Sequence, residues 1–305
     1  MRHRLFAYRA APLFPIPQSP KQADPVNFEA EPSSAHLQAL RGSLLANYQE
    51  EDLHQLRVTI RRIRSALRCR KGGKARKLRR QLGSLTRATN DARDWDTLVV
   101  TARNELAPAR YRELQALLLA GQESARAQVY RMLHSRAWLV STRRWECLGK
   151  NASNKDNAAG DAASELDHCL RRAAVASHKA LEQDSARHMH KLRIAIKELR
   201  YTLESLPGGT VSPANAKLLE ECKSLQTLLG NWHDALVHQV LLAERAAEQR
   251  PPDPATPVTE AAGMLCRILA SKEQALLVQI KHALRRGNLA LAAEPPCLQG
   301  QTDSV

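Results

Sequence analysis

The stretch HQLRVTIRRIR, residues 54–64, combines four arginines and one histidine with no acidic residue. A second stretch, HKLRIAIKELR at residues 190–200, repeats it position by position, with histidine on histidine followed by matching Leu, Arg, Ile and basic residues. Two such stretches in the same register indicate an internal repeat of the chain.

Both stretches have the periodicity of an amphipathic helix. At 100° per residue, the basic positions of the first fall within roughly 80° of one another, beside an apolar stripe of similar width. Each helix is therefore predicted to pack through one face and to present a row of cations beside it. The first basic row is His54, Arg57, Arg61, Arg64 and Arg68. The second basic row is His190, Arg193, Lys197 and Arg200, with Glu204 at the position that matches Arg68.

The spacing of each basic row indicates the kind of ligand. Successive members lie about one turn apart, ~5 Å along the helix axis, so their charges repel one another. A chain of phosphates would relieve that repulsion, because guanidinium groups bind phosphate oxygens bidentately. A single small anion would use only one or two of the groups. The rows therefore favour an extended polyanion over a nucleotide.

Composition supports an all-α protein with an anionic partner. The chain has 305 residues, of which 43% are hydrophobic and only 4% aromatic, and no segment has a strand pattern. The net charge is +15, and thirteen Lys or Arg residues with no Asp or Glu lie between Leu53 and Asn90. A solvated basic face is the ordinary explanation of a charge run, but so one-sided a segment points to a bound anion.

The predicted organisation has two halves. Residues 1–32 are expected to form a disordered arm, and 287–305 a loose tail. A single domain over 33–286 divides into a first half (33–148), a polar linker (149–164) and a second half (165–286). Ser33 and the pair Ser212-Pro213 are predicted helix starts. One long helix or a pair is expected between the Asn90 region and Trp145, and Gly230 is expected to end a helix.

A second matched element follows each basic row. Leu85 is followed eight residues later by Arg93-Asp94, and Leu225 by His233-Asp234. Arg93 and His233 are candidate additional ligands. The two aspartates are expected to cap a helix or to hold a neighbouring cation, and Trp95 and Trp232 to lie in the core.

No metal site, cofactor or membrane segment is predicted. The six cysteines are scattered, without the spacing of zinc ligands. No apolar run approaches about twenty residues, and the prolines and arginines near the N-terminus interrupt any secretory signal, so we expect a cytoplasmic protein.

These motifs resemble the CHAD domain (conserved histidine α-helical domain). The first-half signature is LHQLRVTIRRIRSALR with LGSLTRATNDARDWD, and the second is HKLRIAIKELRYTLE with LQTLLGNWHDA. The resemblance covers roughly 33–285. It implies two four-helix-like bundles related by a pseudo-two-fold axis, inorganic polyphosphate as ligand and association with polyphosphate granules. It also implies polyphosphate ligands at His54, Arg57, Arg61, Arg64, His190, Arg193, Lys197 and Arg200; Arg68 is added from the helix periodicity. The triphosphate-tunnel domain that some relatives carry is not expected here.

Three other functions compete with that of a non-enzymatic polyphosphate-binding module. A histidine phosphotransfer protein needs an uncrowded imidazole, commonly with glycine one residue after the basic position, where this chain has Val58 and Ile194. Non-specific nucleic-acid binding fits the charge, but the rows lack interleaved aromatics for base stacking. An enzyme acting on polyphosphate generally needs carboxylates that bind metal near the phosphates, and no such constellation is evident. We therefore expect no catalysis. Oligomeric state is left open.

Overall fold

The structure is a computed structural model. It describes residues 33–67, 70, 72–149, 158–183, 185–204, 206, 212–248 and 256–287. The predicted arm (1–32), the predicted tail beyond 287 and Arg68 lie outside these residues. The described chain is all-α, as predicted, and has no strand. Its helices are α1 (Ser34–Ala46), α2 (Glu50–Ala66), α3 (Gly73–Arg87), α4 (Asn90–Glu105), α5 (Pro108–His134), α6 (Arg136–Gly149), α7 (Ala158–Glu182), α8 (Ala186–Glu204), α9 (Pro213–Glu248) and α10 (Pro257–Arg286).

Two helices begin where the sequence predicts. The Ser33 hydroxyl accepts a hydrogen bond from the backbone N–H of His36 at 3.1 Å and caps α1. The Ser212 hydroxyl accepts one from the N–H of Asn215 at 3.2 Å, directly before Pro213, the first residue of α9. Both predicted starts are confirmed.

The segment after Asn90 forms three helices, so the prediction of one or two is wrong. The first break follows Leu106, where Pro108 begins α5 and the residue before a proline is disfavoured in a helix. The second break is Ser135, whose hydroxyl accepts a hydrogen bond from the N–H of Trp138 at 3.2 Å. This break could not be predicted from the sequence, because a single capping serine without a neighbouring glycine or proline is a weak signal for the end of a helix.

Two other predicted boundaries are wrong. Helix α9 runs through Gly230 because Leu229 and Trp232 are both buried and packing continues on either side. Helix α7 begins at Ala158, inside the predicted linker. The alanines of that segment favour helix more strongly than its polar residues oppose it.

Two hydrophobic cores organise the described helices. The first is built mainly by α1–α6, and the second by α7, α8 and parts of α9 and α10. Helices α9 and α10 pack along each other and contribute to both cores. To the first they give Ala235, Leu242, Ala261, Ala262, Leu265 and Leu269. The predicted core residues Trp95 and Trp232 are buried, one in each core. The pseudo-two-fold repeat stays a prediction.

Candidate functional site

The two basic rows approach each other where α2 lies near α8. The Arg61 guanidinium of the first row donates a hydrogen bond through Nη1 to the Tyr201 hydroxyl at 2.6 Å. Tyr201 follows Arg200 of the second row, and both arginines lie against its ring, with Cζ 5.8 Å and 5.6 Å from the centroid. The central basic site is the surface formed by the described members of the two basic rows on α2 and α8, together with Arg93-Asp94 of α4 and His233-Asp234 of α9.

Lys197 shows how closely the rows are placed. Burial, followed by the guanidinium groups of Arg193, Arg61 and Arg57, lowers the pKa of its ammonium group to about 8, while Asp234 opposes the shift. Two of those arginines belong to the other row. Lys197 is thus a partly buried cation in a crowd of like charges, and an anion placed there would favour its charged form.

Arg57 is anchored within its own half. Its Nη1 donates to the Thr86 carbonyl at 3.2 Å, the Thr89 hydroxyl at 2.7 Å and the Asn90 side-chain oxygen at 2.9 Å. Thr89 is fully buried, and its hydroxyl donates in turn to the Thr86 carbonyl at 2.8 Å. Arg57 therefore fastens α2 to the connection between α3 and α4, a structural task in addition to its predicted role as ligand.

The other ends of the rows differ. Arg64 lies against α3, where a Cβ added at Gly83 would be 3.4 Å from its guanidinium carbon. Arg200 forms an ion pair through Nε with Glu204 Oε1 at 2.7 Å, and Glu204 is the residue that matches Arg68 of the first row.

The histidines lie beside the candidate additional ligands. His54 is half-buried, and burial followed by the Arg93 guanidinium lowers its pKa. His190 is exposed, and its ring centroid is 5.7 Å from that of His233. Burial, then Arg193, lowers the pKa of His233 to about 4. His54 and His233 are therefore neutral near pH 7, and act there as hydrogen-bonding groups.

Two aspartates lie among these cations. Burial, followed by the Asp234 carboxylate, raises the pKa of Asp94 to about 6, while Arg57 and Arg193 oppose the shift. Asp94 lies inside α4 and Asp234 in the middle of α9, so neither caps a helix, and that alternative is wrong. The other predicted role, holding a neighbouring cation, stays a prediction, because burial and Asp234 outweigh the effect of the arginines on Asp94.

A partly buried contact joins α4 to α9 close to the aspartates. The Thr97 hydroxyl donates to the Asp94 carbonyl at 2.9 Å and lies 3.1 Å from His238 Nε2. His238 is buried, which lowers its pKa to about 4. The neutral ring can donate to Thr97. No role was predicted from the sequence for Thr97, His238 or Tyr201. Each of them contributes to the site through a hydrogen bond to a residue on a distant segment of the chain.

Among the described residues, no group of three or more His, Cys, Asp or Glu side chains is placed to hold a metal ion. The described cysteines Cys147, Cys222 and Cys266 are free thiols. In the same part of the chain, no helix combines the length and apolarity of a membrane span.

Comparisons with known proteins agree with this architecture. The CHAD domain family model matches residues 30–243. The crystal structure of the CHAD domain from the plant Ricinus communis is 25% identical and superposes with a TM-score of 0.65, covering 83% of this chain and 88% of that one. PptA from Streptomyces chartreusis, at 17% identity, shares the fold with a TM-score of 0.61, covering 84% of this chain and 100% of that one. No curated protein matches the chain. Because the family model covers more than half of the sequence, the chain belongs to the CHAD domain family.

Proposed function

We propose that this protein binds inorganic polyphosphate at the central basic site, without catalysing a reaction on it. CHAD domains as a family are linked to polyphosphate binding, and this chain belongs to that family. The proposed ligands are the two basic rows. Arg93 and His233 contribute from α4 and α9.

The observation that carries the proposal is the crowding of cations from both rows around Lys197. Arg57 and Arg61 come from α2, and Arg193 from the same helix as Lys197. Like charges gathered in a partly buried place destabilise the free protein. A linear polyanion that contacts both rows would offset this repulsion at several points, whereas one nucleotide would do so at one or two.

The accompanying aspartates argue against a metal-assisted reaction. Asp94 and Asp234 lie among arginines, which compete with a cation for their oxygens. Phosphotransfer on His54 is also disfavoured, because its imidazole lies half-buried beside Arg93 and is not the uncrowded ring that a phosphoryl acceptor needs. From the family resemblance, we propose that it acts as a binding protein at cytoplasmic polyphosphate granules.

The test is competitive binding at physiological salt. Labelled long-chain polyphosphate would be challenged with duplex DNA, single-stranded RNA and ATP. The test variant is Arg61→Ala/Lys197→Ala, which removes one cation from each row. The matched control is Arg62→Ala/Lys191→Ala, which removes one exposed cation from each of the same two helices.

We expect polyphosphate to be preferred over the nucleic acids by orders of magnitude, and the test variant to lose about 100-fold in affinity, at ~1.5 kcal/mol per charged contact. The control should lose no more than a few-fold. Equal competition by RNA or DNA, or equal losses in test and control variants, would show that the charge acts generically and would refute the proposal.

A further inference from the structure

Helix α3 carries a row of cations that the central basic site does not use. Arg76, Arg80 and Arg87 are exposed, and they fall within roughly 40° of one another at 100° per residue. They span ~16 Å along the axis. The helix has no acidic residue from Gly73 to Arg87. We call these three residues the outer arginine row.

The outer arginine row lies next to the first basic row. Gly83 faces Arg64, because a Cβ there would touch its guanidinium at 3.4 Å. Gly83 is only ~20–60° around α3 from the outer arginine row. On the other side of α3, Gln81 accepts a hydrogen bond from Arg144 of α6 at 2.7 Å. The outer arginine row therefore occupies the exposed face between α2 and α6, and Arg64 links it to the central basic site.

The second half has no equivalent. The stretch that matches α3 in the repeat is the beginning of α9, residues 213–230. It carries Lys217 and Lys223 against Glu220 and Glu221, and Lys223 forms an ion pair with Glu220 at 2.7 Å. Among the described residues, the start of α9 therefore does not repeat the exposed basic face of α3.

We propose that the outer arginine row is a second polyphosphate-binding surface, which takes up the part of a long chain that continues past Arg64. This inference rests on the proposed function. It predicts that the protein prefers long polyphosphate. A polyphosphate that spans only the central basic site makes none of the α3 contacts, and a longer one makes all of them. It also predicts the direction in which a long polyphosphate leaves the central basic site, which is over α3 and not over α9.

The experiment compares two chain lengths on three proteins. The short polyphosphate spans only the ~15 Å from His54 to Arg64, and the other is long-chain polyphosphate. The proteins are wild type, Arg76→Gln/Arg80→Gln/Arg87→Gln, and a control with the same change in net charge, Arg112→Gln/Arg131→Gln/Arg285→Gln. The control removes exposed arginines of α5 and α10. Single-stranded RNA is titrated in parallel, and circular dichroism reports folding.

We expect the α3 variant to bind the short chain within about twofold of wild type and the long chain about tenfold more weakly, from three exposed charge contacts. The salt dependence of long-chain binding should fall by a slope of about 2. The control should keep the preference for long chains.

Other outcomes separate the two proposals. If wild type binds both lengths but the α3 variant loses the same factor for each, or no more than the control, the outer arginine row is not a second surface, and the proposed function stands. If wild type binds neither length, the proposed function fails and this inference with it. If the α3 variant loses RNA binding and keeps its long-chain affinity, the outer arginine row is a nucleic-acid surface, and the inference is overturned.

Discussion

Arg61 and Tyr201 lie 140 residues apart in the sequence, yet the guanidinium Nη1 of the first is 2.6 Å from the hydroxyl of the second. This hydrogen bond connects α2 to α8 and so ties the first basic row to the second. Tyr201 also lies against Arg200. Its ring and hydroxyl thereby fix one cation from each row.

Tyr201→Phe should weaken polyphosphate binding about fivefold. The substitution keeps the ring but removes the hydroxyl that orients Arg61, at ~1 kcal/mol for a lost hydrogen bond. Isothermal titration of the single and double variants measures the effect. In an Arg61→Ala background, Tyr201→Phe should have no further effect on affinity. An undiminished loss in that background would mean that Tyr201 acts independently of Arg61.

Lys197 predicts weaker binding at alkaline pH. Its pKa of about 8 means that the free protein loses this charge as the pH rises through 8. Bound phosphate favours the charged form, so affinity should begin to fall near pH 8. Lys197→Arg keeps its charge at every accessible pH and should flatten the profile between pH 7 and 9.5. If both proteins weaken in parallel over that range, another group is responsible.

The raised pKa of Asp94 predicts that polyphosphate affinity increases at acidic pH. Its pKa of about 6 leaves it ionised at pH 7.5, where its charge repels phosphate. The surrounding charges are Asp234 of α9, Arg57 of α2, Arg193 of α8 and Asp91 of its own helix. Because polyphosphate favours the protonated carboxyl, affinity should rise as the pH falls through 6.

Asp94→Asn removes that charge at all pH values. At pH 7.5 it should bind polyphosphate about fivefold more tightly, for one charge interaction of ~1 kcal/mol. It should also melt at a higher temperature. The folded pKa of Asp94 lies above its unfolded value, so the stability linked to protonation is complete below about pH 4 and is lost as the pH rises through 6. A variant that binds more weakly at pH 7.5 would show that Asp94 supports the site by holding Arg57 or Arg193.

Arg57→Ala should destabilise the fold as well as weaken binding. It removes three hydrogen bonds to the α3–α4 connection, one of them to the buried Thr89 hydroxyl. The expected loss is about 2 kcal/mol in the free energy of unfolding, measured with urea. Arg61→Ala, which removes an interhelical bond to a half-buried hydroxyl, should cost less. Equal losses would mean that the three bonds to Nη1 contribute little.

Two glycine-to-alanine substitutions should change the stability of the protein in opposite directions. At Gly121, a Cβ would come within 2.4 Å of the Trp95 ring, so Gly121→Ala should destabilise the first core by about 1–3 kcal/mol. At Gly230 nothing lies within 4 Å, so Gly230→Ala should stabilise α9 by up to ~1 kcal/mol. Thermal unfolding of both variants measures the difference. A destabilised Gly230→Ala protein would contradict the uninterrupted course of α9.

The sequence was informative where local periodicity determines the structure. The all-α fold, the caps at Ser33 and Ser212, and the faces of α2 and α8 all follow from spacing. Gly230 was misassigned because packing on both sides overrides the weak helix preference of one glycine. Tyr201 could not be found, since the first half has Ser65 at the matching position and the partner, Arg61, lies on another helix. The placement of Asp94 beside Asp234 depends likewise on how α4 meets α9.

The contribution of α10 to the first core has a consequence for synthesis of the chain. Leu265 and Leu269 complete a core whose main helices, α1 to α6, end at Gly149. At roughly 5–20 residues per second, the intervening chain takes on the order of ten seconds to emerge from a ribosome. During that interval the nascent first half exposes the apolar surface that α10 later covers. The first half is therefore translated early, but its core is completed only when α10 has been synthesised. A cell must keep it from aggregating during that interval.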